Sequence, residues 1–165
     1  MKLYLVRHGT ATDIAASDAE RELTREGREE ARIVGVALAE LGVKPSRVWS
    51  SPLMRACQTA EIVAQVTKFR GEVELLDELT NGTSTTALLK ALQAYSFQEE
   101  ILLVGHMPSL SEHLAALIGS KNPQGLPLGK GSVACVDVNE LRPGHGQLRW
   151  LVRQKQLRPI AKCEE

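Results

Sequence analysis

Lys2-Leu3-Tyr4-Leu5-Val6-Arg7-His8-Gly9 decides how the rest of this chain is read. The apolar run predicts a buried strand. It ends in a cation, an imidazole and a glycine, so three polar elements sit at a strand's C-terminal end. In open α/β sheets, ligands bind at that edge. Arginine supplies a forked donor for phosphate, and histidine is a nucleophile when neutral. Gly9 lets the backbone approach a ligand closely, and its N–H is a candidate anion donor. The tripeptide gains its weight from two later segments that read as built for the same anion.

Outward from this strand, secondary-structure signals alternate. Thr24 is placed to N-cap a helix running through Leu41, with Ala31, Val34, Leu38 and Leu41 at helical spacing and Gly42 following. Residues 48–50 read as a short strand. Pro52 opens a second helix, 73–76 a third strand and 86–95 a third helix. Residues 101–104 form a strongly apolar fourth strand ending at Gly105-His106, and 108–118 a fourth helix. Strand followed by helix, four times over, predicts a parallel sheet covered on both faces. The segments 132–138 and 146–152, joined through Arg142-Pro143-Gly144-His145, read as antiparallel strands. The expected fold is therefore an α/β three-layer sandwich: a mainly parallel central sheet, helices on both faces, antiparallel strands at one edge. A single domain over 1–165 is expected. The polar tail from Arg153 is assigned no element.

The second segment is Ser50-Ser51-Pro52-Leu53-Met54-Arg55. It puts Arg55 in the first turn of a helix, where free N–H groups and the dipole favour anions. The third is Gly105-His106. If the three strands that precede these residues are neighbours in a parallel sheet, Arg7, His8, Arg55 and His106 converge on one pocket. Such a group makes sense around an anion with several oxygens, and phosphate fits. There is no Gly-rich Lys-containing phosphate loop, so nucleotide-dependent kinase chemistry is disfavoured.

Twenty Lys+Arg balance twenty Asp+Glu, so no global nucleic-acid surface is indicated. No run is long enough for a membrane span, and the N-terminus lacks a signal-peptide core. Cys57, Cys135 and Cys163 are scattered and odd in number, as expected of reduced thiols in a cytoplasmic protein. His113 and His145 receive no role. Trp49 and Trp150 read as packing residues.

The stretches LVRHGTA (5–11), SDAERELTREG (17–27), SSPLMRACQTA (50–60), DELT (77–80) and LLVGHMPSL (102–110) together resemble the histidine phosphatase superfamily, and within it the SixA-type phosphohistidine phosphatases. The resemblance implies His8 as nucleophile, with Arg7, Arg55 and His106 on the phosphoryl oxygens and no metal or cofactor. It places Glu78 in the region where ester-cleaving members keep a general acid; Glu74 and Asp77 lie close to it. An imidazole leaving group, with a pKa near 6.5, needs such an acid far less than an alkoxide does. The short intervals between Arg55, Glu78 and His106 leave little chain for a lid, apart from 80–85 and 120–131. An open pocket suits a phosphohistidine displayed on a protein. The alternatives are a small phosphoester, such as a sugar phosphate, and an inactive phospho-binding module.

Overall fold

The computed structural model describes residues 1–162, so Cys163 lies outside the described residues. Six strands form one sheet: β1 (Lys2–Arg7), β2 (Arg47–Ser50), β3 (Val73–Leu75), β4 (Glu100–Gly105), β5 (Val133–Val138) and β6 (Gly146–Val152). Their order is β3-β2-β4-β1-β5-β6. The first four in that order are mutually parallel, and β5 and β6 are antiparallel additions beyond β1. This is the expected α/β sandwich.

Side-chain alternation along β1 and β4 divides the core. Leu3, Leu5, Ile101 and Leu103 pack with Leu88, Leu89 and Leu92 of α3 (Thr85–Leu92) and Leu110, Leu114 and Leu117 of α4 (Ser109–Ile118). Tyr4, Val6, Leu102 and Val104 point the other way. They meet Ile33, Val34, Ala37 and Leu38 of α1 (Arg25–Glu40) and Ala56, Ala60 and Val63 of α2 (Met54–Val66). The buried strands are apolar on both sides because both faces are covered. Trp49 is buried and meets Tyr95 edge-on at 5.1 Å; Trp150 lies 6.0 Å from Tyr4.

Local chemistry fixes the helix ends. The Thr24 hydroxyl accepts from Gly27 N at 3.0 Å, and Gly42 takes φ +75° after the helix. The second helix begins at Met54, two residues after Pro52, because the Ser51 hydroxyl first accepts Leu53 N in a turn. The third begins at Thr85 behind a Ser84 cap and stops at Leu92, short of Tyr95.

The segment after Arg153 is helical, which the sequence reading did not assign. Helix α5 spans Gln154–Ala161 and buries Leu157 completely in the α1–α2 side of the core. Its polar composition and Pro159 hide the pattern, yet Leu157, Ile160 and Ala161 follow i, i+3, i+4 spacing. Among the described residues no helix is long and apolar enough to cross a membrane, and Cys57 and Cys135 are free thiols.

Leu157→Ala should therefore destabilise the protein by about 2–4 kcal/mol in denaturant unfolding. A loss below about 0.5 kcal/mol, the range of surface substitutions, would show that α5 does not close the core.

Candidate active site

Parallel register builds the site. Arg7 pairs with Gly105 and Ser50 with Val104, so β1, β4 and β2 end at one level. His8, His106 and Ser51 are the next residues of those three chains. Arg55 reaches the same edge from the first turn of α2. The rings of His8 and His106 lie 5.0 Å apart at 53°. The charges of Arg7 and Arg55 act on both rings. His8 and Arg55 are each 7% exposed and His106 2%. The structure thus brings together the four side chains singled out in the sequence.

Each has a holder. His8 Nδ1 lies 2.7 Å from the Gly9 carbonyl. A carbonyl only accepts, so Nδ1 carries the proton and Nε2 keeps its lone pair. Burial pushes the His8 pKa down to about 3; the Gly9 bond opposes this, and the charges of His106, Arg55 and Arg7 add to it. His106 Nε2 bonds the Ser51 hydroxyl at 2.7 Å, leaving Nδ1 buried and without a partner. Burial, then Arg55, pushes its pKa down to about 4, against the pull of Asp18. The Arg7 guanidinium donates to the Leu128 carbonyl at 3.0 Å, while its Nε is buried and unpartnered.

Several residues that build this arrangement escaped the sequence reading. Asp18 meets Arg55 twice: its carbonyl accepts from Nη1 at 2.8 Å and its carboxylate from Nη2 at 3.1 Å. Hydrogen bonds from Arg21 and then Arg55 hold the Asp18 carboxyl below the usual range. Of the five N–H donors of Arg55, Asp18 takes two and three remain. Glu30, only 7% exposed, accepts from the Thr10 amide at 2.7 Å and its hydroxyl at 3.2 Å, and its charge favours the cationic form of Arg7. Thr59 donates to the Arg55 carbonyl at 2.7 Å. A sequence signal existed for Asp18 and Thr59, since both lie within the quoted motif stretches. For Glu30 there was none, because a glutamate on a charged helix reads as solvated.

Two expectations need correction or restriction. The Gly9 N–H does not face the pocket; it donates to Thr59 Oγ1 at 3.1 Å. The glycine is required on steric grounds instead, since a Cβ there would stand 2.4 Å from the Gly27 carbonyl oxygen. Glu78 sits half-buried in a single 3-10 turn, Asp77–Leu79, whose Leu79 carbonyl lies against Gly105 just before His106. Its carboxyl has no hydrogen-bond or ion-pair partner among the described residues. Asp77 and Glu74 are exposed, and Glu74 pairs with Arg47 at 3.3 Å. His113 is buried and bonds Thr85 at 2.8 Å; His145 lies 3.7 Å from Glu140 at the surface.

Comparison with known proteins follows the same lines. The model of the histidine phosphatase superfamily (branch 1) matches residues 3–85. Phosphohistidine phosphatase SixA of Escherichia coli K12 is 31% identical over 152 residues, covering 91% of this chain and 92% of that protein. The chain belongs to the histidine phosphatase superfamily. A solved structure of the protein histidine phosphatase SixA complexed with tungstate superposes with a TM-score of 0.86 at 31% identity, covering 95% of this chain and 99% of the other. The mitochondrial serine/threonine-protein phosphatase Pgam5 of Drosophila ananassae is 40% identical over 70 residues, 42% of this chain and 24% of that protein. A phosphoserine phosphatase mutant from Entamoeba histolytica shares the fold, with a TM-score of 0.72 at 20% identity.

The lowered histidine pKa values make a stability prediction. Between about pH 6.5 and pH 4 the unfolded chain protonates both residues while the folded protein does not. The unfolded state thus binds more protons, so folding stability should fall as pH drops through this window. Each histidine contributes a slope of at most about 1.4 kcal/mol per pH unit. Denaturant unfolding at stepped pH checks this, and His8→Ala should flatten the slope. Stability unchanged across the window would contradict buried neutral histidines.

Proposed function

We propose that this protein is a metal-independent phosphatase that takes the phosphoryl group from a phosphohistidine on another protein and passes it through His8 to water. The observation that carries the reading is the tautomer of His8: proton on Nδ1, lone pair on Nε2, with cations around it. Neutral Nε2 attacks phosphorus in line, the P–N bond to the substrate ring breaks with that ring protonated on its other nitrogen so that it leaves as neutral imidazole, and phosphohistidine forms on His8, which keeps its Nδ1 proton. Water then attacks that phosphorus, giving inorganic phosphate and restoring the imidazole. Negative charge on the equatorial oxygens meets Arg7, Arg55 and His106. The unpartnered Nδ1 of His106 and Nε of Arg7 are suited to receive those oxygens. With the anion present His106 serves best protonated.

Support for a phosphohistidine substrate comes from the likeness to SixA over nearly the whole chain and from the leaving group. The departing imidazole needs little acid help, and the Asp18 carboxyl bonded to Arg55 is held below the usual range by Arg21 and Arg55, which makes it a poor proton donor. Free thiols at Cys57 and Cys135 are consistent with action in the cytoplasm. Cleavage of a small phosphoester is the second reading. The unpaired carboxyl of Glu78, on a turn packed beside the end of β4, is the feature that favours it.

Rapid-quench trapping separates these readings. Wild-type protein should form an acid-labile, base-stable phosphoenzyme, and turnover should survive EDTA. His8→Ala should abolish turnover while still binding tungstate. Arg55→Ala should cost about 2–4 kcal/mol in kcat/KM. Glu78→Gln should slow p-nitrophenyl phosphate far more than a phosphohistidine protein. No phosphoenzyme would eliminate His8 as nucleophile. Loss of activity in EDTA, restored by magnesium or zinc, would eliminate the side-chain charge assignment. Faster turnover of small esters than of phosphohistidine protein would favour the second reading.

A further inference from the structure

Beside the phosphoryl pocket lies a second cavity, of about 370 Å³, lined by Gly129, Lys130, Ser132 and the first turn of α5, Arg153 to Gln156. Among the described residues the lining holds three cations and no carboxylate. Lys130, Arg153 and Lys155 are exposed, and none has an ion-pair partner among the described residues. Three further features mark it as unsatisfied. Ser132 is 1% exposed, yet its hydroxyl has no hydrogen-bond partner. Helix α5 has no side-chain cap, and the N–H groups of Gln154 and Lys155 donate to no protein acceptor among the described residues. The Gln154 amide is oriented by donating from Nε2 to the Gly131 and Glu30 carbonyls, at 2.9 and 3.2 Å, which leaves its buried Oε1 unpartnered.

The cavity and the phosphoryl pocket share one turn. The Arg7 amide donates to the Ser132 carbonyl at 3.1 Å, Gly131 N bonds the Arg7 and His8 carbonyls, and the Arg7 guanidinium bonds Leu128. Leu128, Gly131 and Ser132 therefore anchor Arg7 and His8, and the same turn forms one wall of the cavity through Gly129, Lys130 and Ser132. An occupant of the cavity touches the turn that holds Arg7 and His8.

We propose that this cavity is a substrate subsite for an acidic side chain, Glu or Asp, of the phosphoprotein, presented next to its phosphohistidine; the proposal rests on the phosphoprotein reading above. A carboxylate matches the three cations, the Ser132 hydroxyl and the free helix N–H groups. The unpartnered Gln154 oxygen requires a donor, which a peptide N–H supplies and a phosphomonoester dianion, with no P–OH, does not. That difference favours a polypeptide occupant over a second phosphomonoester.

Two measurements test it. In the first, a hexaglutamate peptide is titrated calorimetrically into protein whose phosphoryl pocket is filled with tungstate. Wild type should bind it, and Lys130→Ala/Arg153→Ala/Lys155→Ala should bind about tenfold or more weakly. In the second, kcat/KM is compared for phosphohistidine peptides flanked by Glu or by Gln. Wild type should prefer the Glu peptide about tenfold, and the triple variant should lose the preference. Its kcat/KM for p-nitrophenyl phosphate should stay at the wild-type value, which establishes that it folds. Ser132→Ala should weaken the peptide alone, in the same direction. Absence of hexaglutamate binding, or equal binding by the triple variant, overturns the subsite. Failure to turn over either phosphohistidine peptide while the ester is cleaved overturns the phosphohistidine reading, and the calorimetric arm still decides the subsite.

Discussion

Concentrating positive charge at one buried sheet edge is the constraint on which this structure depends. Arg7, Arg55, His8 and His106 converge there, and like charges in a buried pocket repel strongly because the local dielectric is low. The protein resolves the conflict in two ways. Both imidazoles are kept neutral by burial. The two guanidinium groups are offset by carboxylates, Asp18 on Arg55 through direct bonds and Glu30 on Arg7 through its field. Those carboxylates determine much of the surrounding architecture. Asp18 holds the 12–22 loop over the first turn of α2, and Glu30 ties Thr10, just after His8-Gly9, to α1.

The same frame explains why the backbone around His8 admits so little variation. Gly9 and Gly27 approach so closely that a Cβ on either would enter the other segment's backbone. The Gly9 amide goes to Thr59, and its carbonyl to His8. One glycine thus links β1, the tip of α1 and α2, and sets the ring that the proposed chemistry uses. Preorganisation of this kind places fixed dipoles and charges before the phosphoryl group arrives, so little reorganisation is needed during transfer.

Much of this was legible in the sequence because its signals are local. Apolar runs at 3–6 and 101–104, each followed two residues on by a histidine, report parallel strands and the edge where they stop. Arg55, just after a strand and a proline, reports a helix N-terminus. The remainder depends on partners far apart in the chain. Nothing near Glu30 indicates that Thr10 will claim its carboxylate, and nothing near Gly9 indicates that Thr59 will take its amide. Helix α5 was obscured by its polar surface and Pro159, although Leu157 anchors it. Its importance is also tertiary: its N-terminal turn forms a wall of the basic cavity, and its Gln154 clamps the Gly131 turn that anchors Arg7 and His8.

The proposed phosphoryl transfer depends on one proton, the one on His8 Nδ1. Ring ¹⁵N chemical shifts of histidine-labelled protein, titrated from neutral pH down to about pH 4.5, read its position directly. A neutral His8 throughout, protonated at Nδ1 and bare at Nε2, is the predicted result. An Nε2–H tautomer, or an imidazolium forming near pH 6.5 as in an exposed histidine, would contradict it.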